Sequence, residues 1–214
     1  RLVEALGRAF AGHPAVVAWQ LDNEIDATSV LAPDYNPTAE AAWTVWLQRR
    51  FGTVERMNEA LGLRAWGWSA PSFAAVPQPR ARTTEGSSRL PALHLLNRAF
   101  RRDVVAGFLR EGAEGLRAAG VAAPLFSNWM TNWATLADDP DCGGAHDLTG
   151  LNVYPLGPDR EAYWREHAWF LDAARCAGGR NRFLVAETRI GVTGNVRMHD
   201  PFPSRAEFRL WMWG

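Results

Sequence analysis

Two carboxylates stand where apolar runs stop. Val16-Val17-Ala18-Trp19-Gln20-Leu21-Asp22-Asn23-Glu24 ends in one, and Phe183-Leu184-Val185-Ala186-Glu187 ends in the other. Short apolar runs buried on both faces are the strands a parallel sheet requires. A carboxylate at the end of such a strand faces the loop-built end of the sheet, where α/β proteins keep their chemistry. Glycoside hydrolysis uses such a pair. One carboxyl begins protonated and donates to the leaving oxygen; the other attacks the anomeric carbon, at a mutual distance of about 5 to 5.5 Å in retaining enzymes. Taken singly, each Glu also fits a helix cap, a salt-bridge partner or a solvated strand end. Asn23 strengthens the catalytic reading, because an amide beside the acid can hydrogen-bond the sugar hydroxyl next to the reacting carbon.

The surrounding pattern supplies the elements that would hold these groups. Leu2, Val3, Leu6, Ala9 and Phe10 repeat as on an amphipathic helix, which Gly12-His13-Pro14 stops. The strand ending at Glu24 follows, then a polar stretch with Pro33 and Pro37, read as a long loop on the active-site side. A helix is expected over 38–51, with Trp43, Val45, Trp46, Leu47 and Phe51 on or near one face. Gly52 closes it and Thr53 caps a shorter helix through Leu61. Residues 62–88 read as irregular and 90–119 as a long helix, with Pro91 tolerated near its start. Strands follow at 124–128 and 148–154, a helix at 161–177, a strand at 182–187 and a final helix. This alternation argues for parallel strands with helical crossovers. Four strands do not close a barrel of eight.

Composition removes several function classes. The 23 basic and 23 acidic residues cancel, which argues against a nucleic-acid surface or an anionic membrane as partner. No run approaches the roughly 18 to 20 apolar residues of a membrane span. Cys142 and Cys176 have no metal-type spacing, so no metal is expected. Asp138, Asp139 and Asp141 surround Pro140 and read as a solvated turn rather than a cation loop. Eleven tryptophans are many for 214 residues. Each can fill a core, while their collective excess suits stacking on sugar rings.

At Asn23-Glu24 a family resemblance becomes specific. Trp19-Gln20-Leu21-Asp22-Asn23-Glu24 resembles the Trp-Gln-x-Asp-Asn-Glu segment of glycoside hydrolase family 42, the β-galactosidases of clan A. Trp46-Leu47-Gln48-Arg49-Arg50-Phe51-Gly52-Thr53 and Met57-Asn58-Glu59-Ala60 resemble its helix pair after the acid/base loop. Ser127-Asn128-Trp129-Met130 resembles its fifth strand and Leu151-Asn152-Val153-Tyr154-Pro155 its sixth. Glu187 stands where its seventh strand presents the nucleophile, and Arg209-Leu210-Trp211 resembles the helix beyond. Three departures stand out. No Cys occurs in 25–36, where the family often carries a zinc-binding cluster. Arg189-Ile190-Gly191 and Asn195-Val196 replace Pro-Gly and Asn-Trp, and Asn152 replaces the commoner Asp.

The resemblance implies an α/β fold, a (β/α)8 TIM barrel of which about half is present. Residues 1–214 would form part of the catalytic barrel, with an inserted helical and loop segment at about 33–89. Glu24 would be the general acid/base and Glu187 the nucleophile of a retaining β-glycosidase hydrolysing terminal β-galactosides. The substrate-binding set would be Asn23, Asn128, Trp129, Tyr154 and Asn195. Asn128 lines the sugar pocket and Trp129 lines it or packs; Tyr154 donates to the nucleophile or packs on the barrel rim. No cofactor is implied. The partner is a β-galactoside or related oligosaccharide, the expected setting is cytoplasmic with secretion also open, and a homo-oligomeric full-length protein stays open. Alternatives are another clan A specificity (β-glucosidase, β-mannosidase, α-L-arabinosidase) and a non-catalytic carbohydrate-binding relative. With Arg1 at its start, the chain reads as an internal piece of a longer protein, inactive by itself.

Overall fold

A computed structural model of the chain describes residues 1–25, 35–79, 91–130, 145–153, 165, 168–172, 175–176, 182–188, 204–206 and 209, with Trp66 and Met130 as backbone only. Two compact units emerge: Arg1–Ala27 with Ala106–Gly214, and Thr28–Val105.

The first unit is built on a four-stranded sheet. Helix α1 (Leu2–Phe10) precedes β1 (Trp19–Asn23). After the second unit come β2 (Leu125–Met130), β3 (Thr149–Val153) and β4 (Phe183–Thr188). The order is β1-β2-β3-β4 and every pairing is parallel. Sequential order without reversal is the winding of a β/α barrel, since a doubly wound sheet turns back on itself after three strands.

One sheet face is apolar and packs on helices. Trp19, Leu21 and Leu125 cluster with Ala113, Leu116 and Val121, while Leu151, Val153, Phe183 and Val185 gather around Leu171. Burial on both faces is expected of the apolar runs ending at Glu24 and Glu187, but it is β2 and β3 that are fully buried. β1 and β4 are half-exposed, with Leu184 38% accessible, because each has a strand neighbour on one side only in the described sheet. Helix α1 also departs from its amphipathic pattern. It packs through Gly7 against Leu116, Ala119 and Val121, and leaves Leu2, Leu6 and Phe10 exposed.

The second unit is helical. Helix α2 (Pro37–Phe51) begins with Pro at its first position and with the Asn36 side chain accepting from the Ala39 N–H at 2.9 Å. Gly52, at φ 73°, ends it. Thr53 caps α3 (Val54–Ala60) through the Arg56 N–H, as its sequence foretells. Two short 3-10 turns, Leu63–Trp66 and Phe73–Ala75, lie in the stretch expected to be irregular. Helix α4 (Pro91–Ala118) contributes its first half to this unit and its second half to the other.

The core of this unit gathers Trp43, Leu47, Met57, Leu63, Val76 and Phe100. Trp43 stacks on Trp46 at 5.5 Å between ring centres and donates its indole N–H to the Val76 carbonyl at 2.8 Å. Val45, expected near the buried face, is exposed; two residues from Trp43 on a 3.6-residue turn, it lies around the helix from it.

Candidate active site

Asn128, fully buried on β2, is the hub. Its Oδ1 accepts from Gln20 Nε2 at 2.9 Å and from the Glu24 backbone N–H at 3.0 Å. Its Nδ2 donates to Glu187 Oε1 at 2.8 Å, Asn23 Oδ1 at 3.0 Å and Asn152 Oδ1 at 3.1 Å. Two amide hydrogens thus serve three acceptors. Asn152, on β3, carries the network onward by donating from Nδ2 to Glu24 Oε1 at 2.6 Å. Both carboxylates are therefore joined through two amides at one end of the sheet.

Strict alternation would not deliver this arrangement. Gln20 pairs with Phe126 and Asn23 with Asn128, so β1 spends three steps against two on β2. Likewise Leu151 pairs with Val185 but Asn152 with Glu187, so β4 spends two steps against one on β3. Each is a bulge. Side chains alternate faces along a strand, so one extra residue flips everything beyond it. Val185 packs with Leu151 on the helix-covered face, and an unbulged β4 would send Glu187 there too. The bulge at Ala186 returns Glu187 to the face of Asn152. The bulge in β1 does the same for Asn23, which would otherwise lie opposite Gln20.

Glu24 sits just past β1 with φ 51°, the left-handed region that side-chain-bearing residues seldom occupy. The Asn128 bond to its N–H and the Asn152 bond to its carboxylate hold it there. Such conformations cost about 1–3 kcal/mol and persist where surrounding structure over-determines them, commonly at functional sites.

Of the residues expected from sequence, the fold brings together Asn23, Glu24, Asn128 and Glu187. Asn23 keeps its Oδ1 engaged by Asn128 and by Gln20 at 3.3 Å, which turns its Nδ2 away from them, and the residue is exposed. Asn128, expected to touch sugar, is buried, and both ends of its amide are committed to protein partners; it positions the others. Trp129 is not brought to the cluster. It is 6% exposed, one step from Asn128 and so on the opposite face, edge-on to His146 at 6.2 Å. Tyr154 and Asn195 lie outside the described residues. Asp22 accepts the Asn23 backbone N–H on its Oδ1 at 2.7 Å.

Sequence reading missed Gln20 and Asn152 as site residues. The signal for Asn152 was one polar side chain inside Leu151-Asn152-Val153, and for Gln20 one inside the otherwise apolar run 16–21. The sugar-stacking idea for the tryptophans finds Trp43 and Trp129 in packing roles, with Trp68 and Trp169 exposed. Among the described residues no group of three His, Cys, Asp or Glu is placed to hold a metal ion, and no helix is long and apolar enough to cross a membrane.

Comparison with known proteins converges on one family. The sequence profile of the family described as Beta-galactosidase, glycoside hydrolase family 42, matches residues 1–214. A β-galactosidase of Thermus thermophilus is 31% identical over 227 residues, an alignment covering 100% of this chain and 34% of that protein. The crystal structure of the β-galactosidase from the psychrophilic Marinomonas ef1 aligns with a TM-score of 0.86 at 27% identity, over 100% of this chain and 34% of that one. The β-galactosidase from the haloarchaeon Halorubrum lacusprofundi aligns with a TM-score of 0.83 at 26% identity, over 99% and 33%. The chain spans about a third of the length of these relatives. With its family profile matched from end to end and its carboxylate-bearing strands in sequential parallel order, the chain belongs to glycoside hydrolase family 42.

Proposed function

We propose that the complete protein is a retaining β-glycosidase acting on terminal β-galactosides, with Glu187 as nucleophile and Glu24 as general acid/base. The observation that carries this reading is the amide-linked pair of strand-end carboxylates, Glu187 turned to the inner face by the β4 bulge and Glu24 held just past β1 in a left-handed conformation. In the first step a Glu187 oxygen bonds to the anomeric carbon as the bond to the leaving oxygen breaks, and Glu24 supplies the proton that oxygen takes. In the second, Glu24 removes a proton from water, which attacks the same carbon and releases the Glu187 carboxylate. Asn23, its Oδ1 already engaged, would donate from Nδ2 to the sugar's 2-oxygen, a bond that strengthens in the oxocarbenium-like transition state.

The same reading makes this sheet one part of an eight-stranded barrel. The half-exposed strands β1 and β4 and the uncovered Leu2, Leu6 and Phe10 of α1 support that, as surfaces suited to further strand-helix units. A different clan A specificity is favoured by one sequence feature: Val196 stands where the family's resemblance pattern carries Trp.

The test uses the complete protein. Glu187→Gly should abolish turnover of an aryl β-galactoside, and azide should restore it by entering the vacated space, attacking the anomeric carbon and leaving an α-galactosyl azide. Activity near the unmodified protein's, with no azide adduct, would refute the assignment. A panel of aryl glycosides decides between galactoside and other sugars.

A further inference from the structure

We propose that Asn152 is a positioning residue that dictates which oxygen of Glu24 carries the catalytic proton; the inference rests on Glu24 being the acid/base. Asn152 is 1% exposed, and its amide orientation is fixed from one side. Its Oδ1 accepts from Asn128 Nδ2 at 3.1 Å, which turns its Nδ2 toward Glu24 Oε1 at 2.6 Å. That contact is the shortest in the cluster. An amide nitrogen only donates, so Oε1 must present a lone pair to it. When Glu24 is protonated, the proton is then directed to Oε2, the oxygen left to meet the leaving group. The bond also fixes a side chain whose backbone stands outside regular strand geometry, at φ 51°. An Asp at this position would set a third carboxylate beside the pair and, when ionised, offer Oε1 no donor.

The proposal predicts a selective defect rather than a general one. On the complete protein, kcat/KM is measured for Asn152→Ala and Asn152→Asp with two β-galactosides. The 2,4-dinitrophenyl aglycone departs without protonation, whereas an alkyl aglycone needs the acid. The ratio of the two constants does not depend on the fraction of enzyme that is active, so a variant that folds poorly still reports. Asn152→Asp keeps the shape of the side chain and gives the reading if the Ala variant is insoluble.

Both variants should lose about tenfold to a hundredfold more on the alkyl than on the dinitrophenyl substrate, the scale of one hydrogen bond to a charged group. Equal losses on both substrates, or none, would overturn the proposal. Glu24→Ala run in parallel separates the two levels of inference. If it shows the selective loss and the Asn152 variants do not, only the role of Asn152 falls. If Glu24→Ala lowers both constants alike, the acid/base assignment falls and takes this proposal with it.

Discussion

Truncating the hub amide, Asn128→Ala, should damage both halves of the reaction at once. The change removes five contacts: two accepted, from Gln20 and the Glu24 N–H, and three donated, to Asn23, Asn152 and Glu187. The bond to Glu187 at 2.8 Å is charge-assisted, so its loss costs about 1.5–3 kcal/mol, or roughly 10- to 150-fold in rate. Freeing the Glu24 N–H removes one of two restraints on a left-handed residue, and a misplaced acid adds to the loss. The contacts share atoms and cannot be summed independently, so the expected fall in kcat/KM is on the order of 10²- to 10³-fold. If Glu187 is the nucleophile, its displacement should lower the constants for dinitrophenyl as well as alkyl β-galactosides, unlike the loss confined to the alkyl substrate expected at Asn152. The assay is steady-state kinetics of the complete protein on both substrates, with the active fraction titrated by a fluorosugar that traps the glycosyl-enzyme. A loss below about threefold would refute the network as the device that sets the carboxylates.

Two further substitutions probe the scaffold beneath the site. A Cβ at Gly150 would overlap the Ser127 carbonyl oxygen and approach the Phe126 ring to 2.9 Å, in the strand pair that carries both amides. Gly150→Ala should therefore cost about 3 kcal/mol or prevent soluble expression. Gly107→Ala, where an added Cβ meets nothing within 4 Å among the described residues, should be neutral or stabilising by up to about 1 kcal/mol; comparable heat-inactivation curves for the two variants would contradict the steric argument. In the helical unit, Trp43→Phe leaves the Val76 carbonyl without its 2.8 Å indole donor and opens space beside Trp46, so stability should fall by about 1–3 kcal/mol. A denaturation midpoint unchanged from the unmodified protein would rule that out.

Local chemistry made most elements legible. Asn36-Pro37, Thr53 and Gly52 act within one turn, through a capping oxygen, a fixed φ or a left-handed residue, and the structure places helix ends within a residue or two of where those signals stand. Strand positions followed from apolar runs for the same reason. Burial was less legible, because it depends on what lies across from a side chain. The apolar residues of α1 read as a buried stripe, yet the tightest approach of this helix is at Gly7, which no hydrophobic pattern would single out. Val45 erred in the same way, and phase along β2 decides between the two readings of Trp129 in favour of packing: the face a side chain occupies is set by its position along the helix or strand.

The site itself depends on a feature that no periodicity could disclose. From Val185 on the helix-covered face, alternation sends Glu187 to the same face, and from Gln20 on the inner face it sends Asn23 outward. A strictly period-two reading would have separated the two carboxylates that the catalytic reading joins. The likeness of Trp19–Glu24 to a family segment carried that information instead, because a family pattern preserves bulges without naming them. Both bulges fall at the same end of the sheet, one just ahead of Asn23 and the other just ahead of Glu187, and Glu24 follows Asn23 with a left-handed backbone. An extra residue turns a strand's last side chains and loosens its pairing at once. Beyond each bulge the pairing resumes, and side-chain amides, Asn128 and Asn152, tie those ends further. The rigidity of the carboxylate pair thus comes from two buried asparagines, and the precision of the chemistry should depend on those two residues as strongly as on the acids they hold.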